Sequence, residues 1–232
     1  MIVGNGLLAT PFQKKYRDVA DVTIFASGVS NSGEVDTRQF KRESSLLATE
    51  LARTEGKFIY FSTCSIGDPG RVDTPYVEHK MAMEALVKQH PKYFIFRLPQ
   101  VVGKTLNPYT LTNYIYEKIR KQNGFRLWRN AMRNIIDVDE VYRISNFIID
   151  SNDAEYINSV INVANPRSIG MLDLVKVFEK ILVVQAVYEV IEAGADFLID
   201  TSTILHAIEK VALQFDEFYV ERVIGKYYAN RD

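Results

Sequence analysis

Short apolar runs alternate with amphipathic stretches along the first hundred residues, and this alternation restricts the fold more than any other feature of the chain. Met1 to Val3, Val22 to Ala26, Phe58 to Phe61 and Tyr93 to Phe96 read as short buried strands. Between them lie an apolar-periodic segment ending near Tyr16 and a helix from Asp36 to Thr54, with Phe40, Leu47 and Leu51 on one side and charges elsewhere. A further helix runs from Tyr76 to His90. Parallel strands need a crossover, which a helix supplies, so this order predicts a parallel sheet with helices on both faces. Ligands of such sheets bind outside the carboxyl ends of the strands. Three of those ends converge: Gly4 to Ala9, Ala26 to Asn31 and Ser62 to Ser65.

Downstream, helices are expected over Leu111 to Lys121, Val138 to Ile149 capped by Asp137, and Met171 to Ile181. Phe125 to Trp128 is a short extended piece and Tyr156 to Val163 a strand. The last fifty residues offer an apolar stretch from Val183 to Ile191, a helix around Ser202 to Ala212 and an aromatic-rich terminal helix, without a specific role.

With 232 residues, 47% of them hydrophobic, the chain is long enough for one large domain with a small appendage. Its net charge of −1 offers no field for gathering nucleic acid or anionic lipid. Cys64 is the only cysteine, which excludes an internal disulfide, suits a reducing cytosol and is expected to pack in or near the core. No apolar stretch has the length of a bilayer span and no signal peptide is evident, so a cytoplasmic protein without membrane attachment is expected.

Two motifs carry chemistry. Gly4-x-Gly6-x-x-Ala9 fits a turn between strand and helix in which glycines let a pyrophosphate approach the backbone. Tyr76 and Lys80, four apart on a helix, share a face with Met83 and Val87. An ammonium close to a phenol favours the phenolate and brings it toward a useful range for proton transfer. That spacing alone is weak, because Tyr114 and Lys118 repeat it on what reads as an exposed helix. The first pair differs in following a strand that ends at Thr63.

In this context the chain resembles the extended short-chain dehydrogenase/reductase family, which includes nucleotide-sugar epimerases, dehydratases and ketoreductases, over about residues 1 to 182. Phe58-Ile-Tyr-Phe-Ser-Thr63 resembles the family's strand ending in a catalytic Ser or Thr. Thr74-Pro-Tyr76-Val-Glu-His-Lys80 resembles its Ser-Pro-Tyr-x-x-x-Lys segment. Arg97-Leu-Pro-Gln-Val-Val-Gly103 and Arg133-Asn-Ile-Ile-Asp-Val-Asp-Glu140 resemble two further family segments, and Asn162-Val-Ala-Asn165 a fifth.

The resemblance implies an α/β, Rossmann-like, doubly wound, mostly parallel sheet with a small C-terminal substrate lobe. The chain passes directly from its first helix into Val22 to Ala26, so the second and third strands of that sheet are expected to be missing. Residues 1–105 and 134–150 would form the NAD(P)-binding unit, and 106–133 with 151–232 the lobe. By the same resemblance Tyr76 would be the acid/base, Lys80 would lower its pKa and hold the nicotinamide ribose, and Thr63 would hydrogen-bond the reacting oxygen. NAD or NADP would lie against Gly4, Gly6, Leu7 and Leu8, then Ala26, Ser27 and Gly28, then Ser62, Tyr76, Lys80, Leu98 and Pro99. Arg133 would pair with the diphosphate of a nucleotide sugar, with Gln100 and Asn107 beside it. No metal is called for.

The departures narrow the reading. No acidic residue follows the second strand to hold the adenosine ribose, since Asp18 and Asp21 precede it. Cys64-Ser65 stands where sugar 4,6-dehydratases carry Asp-Glu, so that elimination is not expected. His79 is expected to pack or face solvent. The expected activity is an NAD(P)-dependent epimerase or ketoreductase of a nucleotide-activated sugar in surface-polysaccharide biosynthesis. A non-catalytic NAD(P)-binding sensor or scaffold of the same fold is the alternative, and a homodimer pairing through the Asp36 to Thr54 and Tyr76 to His90 helices is expected.

Overall fold

The structure is a computed structural model that describes residues 1–71, 73–151 and 153–231. Strand β1 (Ile2–Val3) leads through a turn and a 3-10 segment at Thr10–Phe12 into α1 (Gln13–Tyr16), a single helical turn rather than the longer helix the sequence suggests. Next come β2 (Val22–Phe25) and α2 (Thr37–Arg53), the latter begun by Asp36, whose carboxylate accepts from the Arg38 backbone N–H at 2.9 Å. After β3 (Lys57–Thr63), Thr74 caps α3 (Pro75–Val87), with Pro75 in the first turn where its missing N–H costs nothing. β4 (Tyr93–Leu98), β5 (Gln100–Val102), α4 (Leu111–Arg120), β6 (Phe125–Trp128), β7 (Met132–Arg133) and β8 (Ile135–Asp137) follow. The chain continues through α5 (Val138–Ser151), β9 (Ser159–Asn162), β10 (Ile169–Gly170), α6 (Met171–Leu182) and β11 (Tyr188–Ile191), and ends with α7 (Leu205–Lys210) and α8 (Tyr219–Tyr228).

The main sheet has five parallel strands in the order β1-β2-β3-β4-β9. Alternation along the buried strands sorts side chains to two faces. Phe58, Tyr60 and Ile95 face Leu47 of α2 and Met83 and Val87 of α3. Ile59, Phe61, Phe94 and Phe96 join Phe12, Tyr16 and the α5 residues Val141, Ile144 and Ile148 on the other. The sheet is therefore doubly wound, and β1 is its edge: β2 follows β1 directly, so the strands expected to be missing on that side are missing. β9 belongs to this sheet, pairing Ile95 with Val160, so the sheet unit draws on residues beyond the boundary drawn at 150. The physical reason is that β4 presents a second hydrogen-bonding edge, which β9 satisfies.

A second core joins α4, α6 and α8 around Ile115, Ile119, Phe178 and Tyr228. Parallel β6 and β11 and antiparallel β7 and β10 border it, and β5 pairs in parallel with β8. The C-terminal helix fastens this region. Lys226 and the Tyr227 hydroxyl both donate to the Asp137 carboxylate at 2.7 Å, and the Tyr228 hydroxyl donates to Asn113 at 2.7 Å. The final residues thus have a structural role that their sequence does not declare.

Candidate active site

A cleft of about 360 Å³ opens at the carboxyl ends of β1 to β4. The turn after β1 supplies Gly6, Leu7 and Leu8 to its lining, and the turn after β2 supplies Ala26 and Gly28. The ends of β3 and β4 add Ser62, Thr63, Leu98 and Pro99, and α3 adds Tyr76 and Lys80. Gln100 and Asn107 also line it. Gly4 and Ser27 do not. Gly4 has φ of +113°, and a Cβ there would lie 2.6 Å from the Ala26 carbonyl oxygen, so this glycine lets the end of β1 lie against β2. Ser27 accepts a hydrogen bond from Arg42 at 3.3 Å. Asn107 behaves as a turn residue, accepting from the Tyr109 N–H at 3.0 Å and donating to Ser30 at 3.3 Å.

Tyr76 is buried, with 7% of its surface exposed. The Thr63 hydroxyl oxygen accepts from the Ser65 N–H at 3.1 Å, which leaves the hydroxyl proton for the Tyr76 phenol. Burial pushes that phenol up to about 12, the hydrogen bond from Thr63 and the charge of Arg71 pull it down, and the charge of Glu43 pushes it up. The cation acting on the phenol is Arg71.

Lys80 is occupied differently from the sequence reading. Its ammonium donates to Glu43 at 2.9 Å and to the Tyr60 hydroxyl at 3.0 Å, all three side chains being buried. Tyr60 in turn donates to Glu43 at 2.7 Å, the Val29 N–H donates at 2.6 Å, and His79 lies 3.0 Å from the other carboxylate oxygen. His79 also stacks on Phe40 at 4.6 Å, so it packs, as expected. Burial pushes the Glu43 carboxyl up, but these partners outweigh it and hold the group at about 2. Burial lowers the Lys80 ammonium against the opposing pull of Glu43. The carboxylate fills the space that would otherwise leave Lys80 charged and unpartnered in the core.

Glu43 escapes the sequence reading, which places the charges of α2 away from its apolar side. The signal lies in the spacing: Phe40, Glu43 and Leu47 follow at three and four residues, so the acid sits within the apolar stripe. Arg97, one of the motif residues, makes a bidentate pair with Glu84, both bonds at 2.8 Å, and Ser62 donates to the same carboxylate at 2.6 Å. This clamp ties the ends of β3 and β4 to α3. Cys64 is buried, its thiol pushed up to about 12 by burial, and it donates to the Arg97 carbonyl at 3.3 Å. Tyr114 is exposed and Lys118 lies over its ring at 5.5 Å, away from the cleft lining.

Arg133 lines a separate small cavity that shares Thr63, Ser65, Pro99 and Gln100 with the main cleft. Its guanidinium donates to the Met132 carbonyl at 2.7 Å. Among the described residues no group of histidine, cysteine, aspartate or glutamate side chains is arranged to hold a metal ion, and no helix is long and apolar enough to cross a membrane.

No family model matches the chain, and no curated protein matches it in sequence. Solved structures do match. The UDP-glucose 4-epimerase of Thermotoga maritima with UDP-glucose superposes with a TM-score of 0.71 at 17% identity, covering 97% of this chain and 82% of that one. RMD from Pseudomonas aeruginosa complexed with NADPH gives 0.69 at 14% identity, over 99% and 88%. The UDP-glucuronic acid 4-epimerase of Bacillus cereus with UDP-glucuronic acid and NAD gives 0.68 at 16% identity, over 96% and 79%. At these identities the likeness concerns the fold. The chain has the Rossmann-like α/β fold of these structures, in agreement with the resemblance carried by its motifs.

Proposed function

We propose that the protein is an NAD(P)-dependent epimerase or ketoreductase of a nucleotide-activated sugar, with Tyr76 moving the proton. The observation that carries this reading is the buried Tyr76 phenol, hydrogen-bonded to Thr63, in the lining of a cleft that the Gly6 turn also lines. The cleft volume lies within the range of small-molecule sites. Gly28 lines the cleft and lets the turn after β2 pack against the Lys80–Glu43 pair, since a Cβ there would lie 2.7 Å from Lys80 Nζ. Gly6, Leu7, Leu8, Ala26, Gly28, Leu98 and Pro99 would hold the dinucleotide, with Gly4 and Ser27 shaping the turns behind them. When bound, the nicotinamide supplies or accepts the hydride.

Tyr76 gives a proton to, or takes one from, the oxygen on the reacting carbon, and Thr63 orients that oxygen. Lys80 orders this wall through Glu43 and Tyr60. Arg133 would meet the diphosphate, as a planar fork suits bridging phosphate oxygens, with Gln100 and Asn107 nearby. Elimination of a sugar hydroxyl is disfavoured, because the buried Cys64 thiol, pushed up to about 12, is neither acid nor base near neutrality. Residues 106–133 and most of 151–232 form the substrate lobe in this reading. The protein would act in the cytoplasm, in surface-polysaccharide assembly, as a homodimer joined through α2 and α3.

A non-catalytic NAD(P) sensor is the second reading, favoured by the pairing of Lys80 with Glu43 and by the sheet ending at β1. Titration with NAD(H) and NADP(H), followed by turnover with a panel of nucleotide sugars, separates the two. Tyr76→Phe is expected to lose about 10² to 10⁴ in rate while keeping dinucleotide binding. Dinucleotide binding without turnover on any sugar would favour the sensor. Light scattering tests the dimer.

A further inference from the structure

The small cavity beside the cleft, about 70 Å³, holds two guanidinium groups and one carboxylate: Arg71, Arg133 and Asp68. Arg71 reaches Asp68 only at 4.0 Å, a distance without a hydrogen bond, and its side chain is 39% exposed. Arg133 makes no ion pair within 4.0 Å among the described residues, and its guanidinium donates instead to its own neighbour's carbonyl. Burial, and after it the charge of Arg71, holds the Arg133 guanidinium below its ordinary range, with Asp68 opposing. Two cations facing one loosely held carboxylate leave an excess positive charge in a partly dehydrated pocket, an arrangement that an incoming anion relieves.

Position distinguishes the two arginines. Arg133 sits on β7, at the substrate-lobe side. Arg71 lies on the segment between β3 and α3, five residues before Tyr76, and its charge acts on the Tyr76 phenol. The cavity adjoins the cleft, sharing Thr63 and Ser65 with it, and Arg71 is the arginine whose charge reaches Tyr76, so the two guanidiniums divide the work: Arg133 takes the diphosphate and Arg71 an anionic group nearer Tyr76. Its volume suits a group of a few atoms, and a planar carboxylate accepts two parallel bonds from a guanidinium fork.

We propose that Arg71 recognises a carboxylate on the sugar ring of the substrate, making this site selective for acidic nucleotide sugars. The proposal rests on the nucleotide-sugar reading above and adds the substrate subclass. Arg71 is a specificity residue; Asp68 is the internal carboxylate that the substrate displaces.

Calorimetric titration of the full chain, saturated with dinucleotide, with UDP-glucuronate, UDP-glucose and UDP tests it in the parent, Arg71→Gln and Asp68→Asn. The parent should bind UDP-glucuronate about tenfold or more tighter than UDP-glucose, and Arg71→Gln should remove about 10- to 100-fold of that affinity, leaving UDP-glucose and UDP within about threefold. Asp68→Asn should tighten UDP-glucuronate alone, an effect that does not depend on Arg71→Gln folding normally. Equal losses for all three ligands in Arg71→Gln would make Arg71 a diphosphate clamp and overturn the proposal. So would a parent that binds UDP-glucose as tightly as UDP-glucuronate. If dinucleotide binds and none of the three ligands does, the nucleotide-sugar reading itself fails, and this inference with it.

Discussion

Lys80 of the Tyr-x-x-x-Lys segment donates its ammonium to Glu43 on the neighbouring helix at 2.9 Å, inside the core. The pair crosses from α3 to α2 and encloses the Tyr60 hydroxyl, which accepts from Lys80 and donates to Glu43. The positive charge at this wall is thus matched within the protein, and the Tyr76 phenol stays at about 12. Four consequences can be measured.

The first concerns pH. With the phenol at about 12, nearly all of it is protonated between pH 6 and 9. In the direction where Tyr76 donates a proton, kcat/KM should be flat across that range. Where it accepts one, kcat/KM should rise about tenfold per pH unit, because the phenolate fraction does. An inflection near pH 7 in the accepting direction would mean that the free protein already holds the phenolate.

Glu43→Gln removes one member of a buried pair and leaves Lys80 as an uncompensated cation. The expected loss is about 3 to 5 kcal/mol at pH 7 by denaturant unfolding. Adding Lys80→Met should recover most of it, since an apolar replacement of the pair removes both charges together. A double variant as unstable as Glu43→Gln would place the damage elsewhere, in the Tyr60 or Val29 hydrogen bonds.

Acid stability should show the same carboxylate. Glu43 sits at about 2 in the folded protein against an ordinary 4.5, so between those values the unfolded chain binds the proton and the folded chain does not. The stabilisation, about 3 kcal/mol, is complete above pH 4.5 and disappears as the pH falls toward 2. Unfolding midpoints at pH 6 and pH 3 should therefore differ less in Glu43→Gln than in the parent.

Gly28→Ala should disturb the site without removing any group. The new Cβ would lie 2.7 Å from the Lys80 nitrogen and 2.9 Å from Glu43 Oε1, and both atoms are pinned by hydrogen bonds. Repositioning them is expected to cost about 1 to 3 kcal/mol and to weaken dinucleotide binding. Gly6→Ala, where no atom lies within 4 Å of the added Cβ, serves as the control and should keep its stability.

Much of this protein can be read from local sequence, because periodicity and caps act within a few residues. The burial of Phe58 to Phe61, the Asp36 cap of α2 and the Thr74-Pro75 start of α3 all follow from neighbours along the chain. It is the family resemblance, and not periodicity, that sets β2 directly beside β1 and brings Thr63 and Tyr76 into one site. Long-range relations were another matter. That β9 closes the sheet beyond residue 150 depends on which edge of β4 is left unpaired, and the Asp137 carboxylate finds Lys226 and Tyr227 only after the lobe has packed. The electrostatic state of Lys80 was decided by tertiary structure alone. Spacing can set a lysine four residues from a tyrosine, but the ammonium takes whichever acceptor burial brings nearest, and here the crossing of α2 over α3 supplies Glu43.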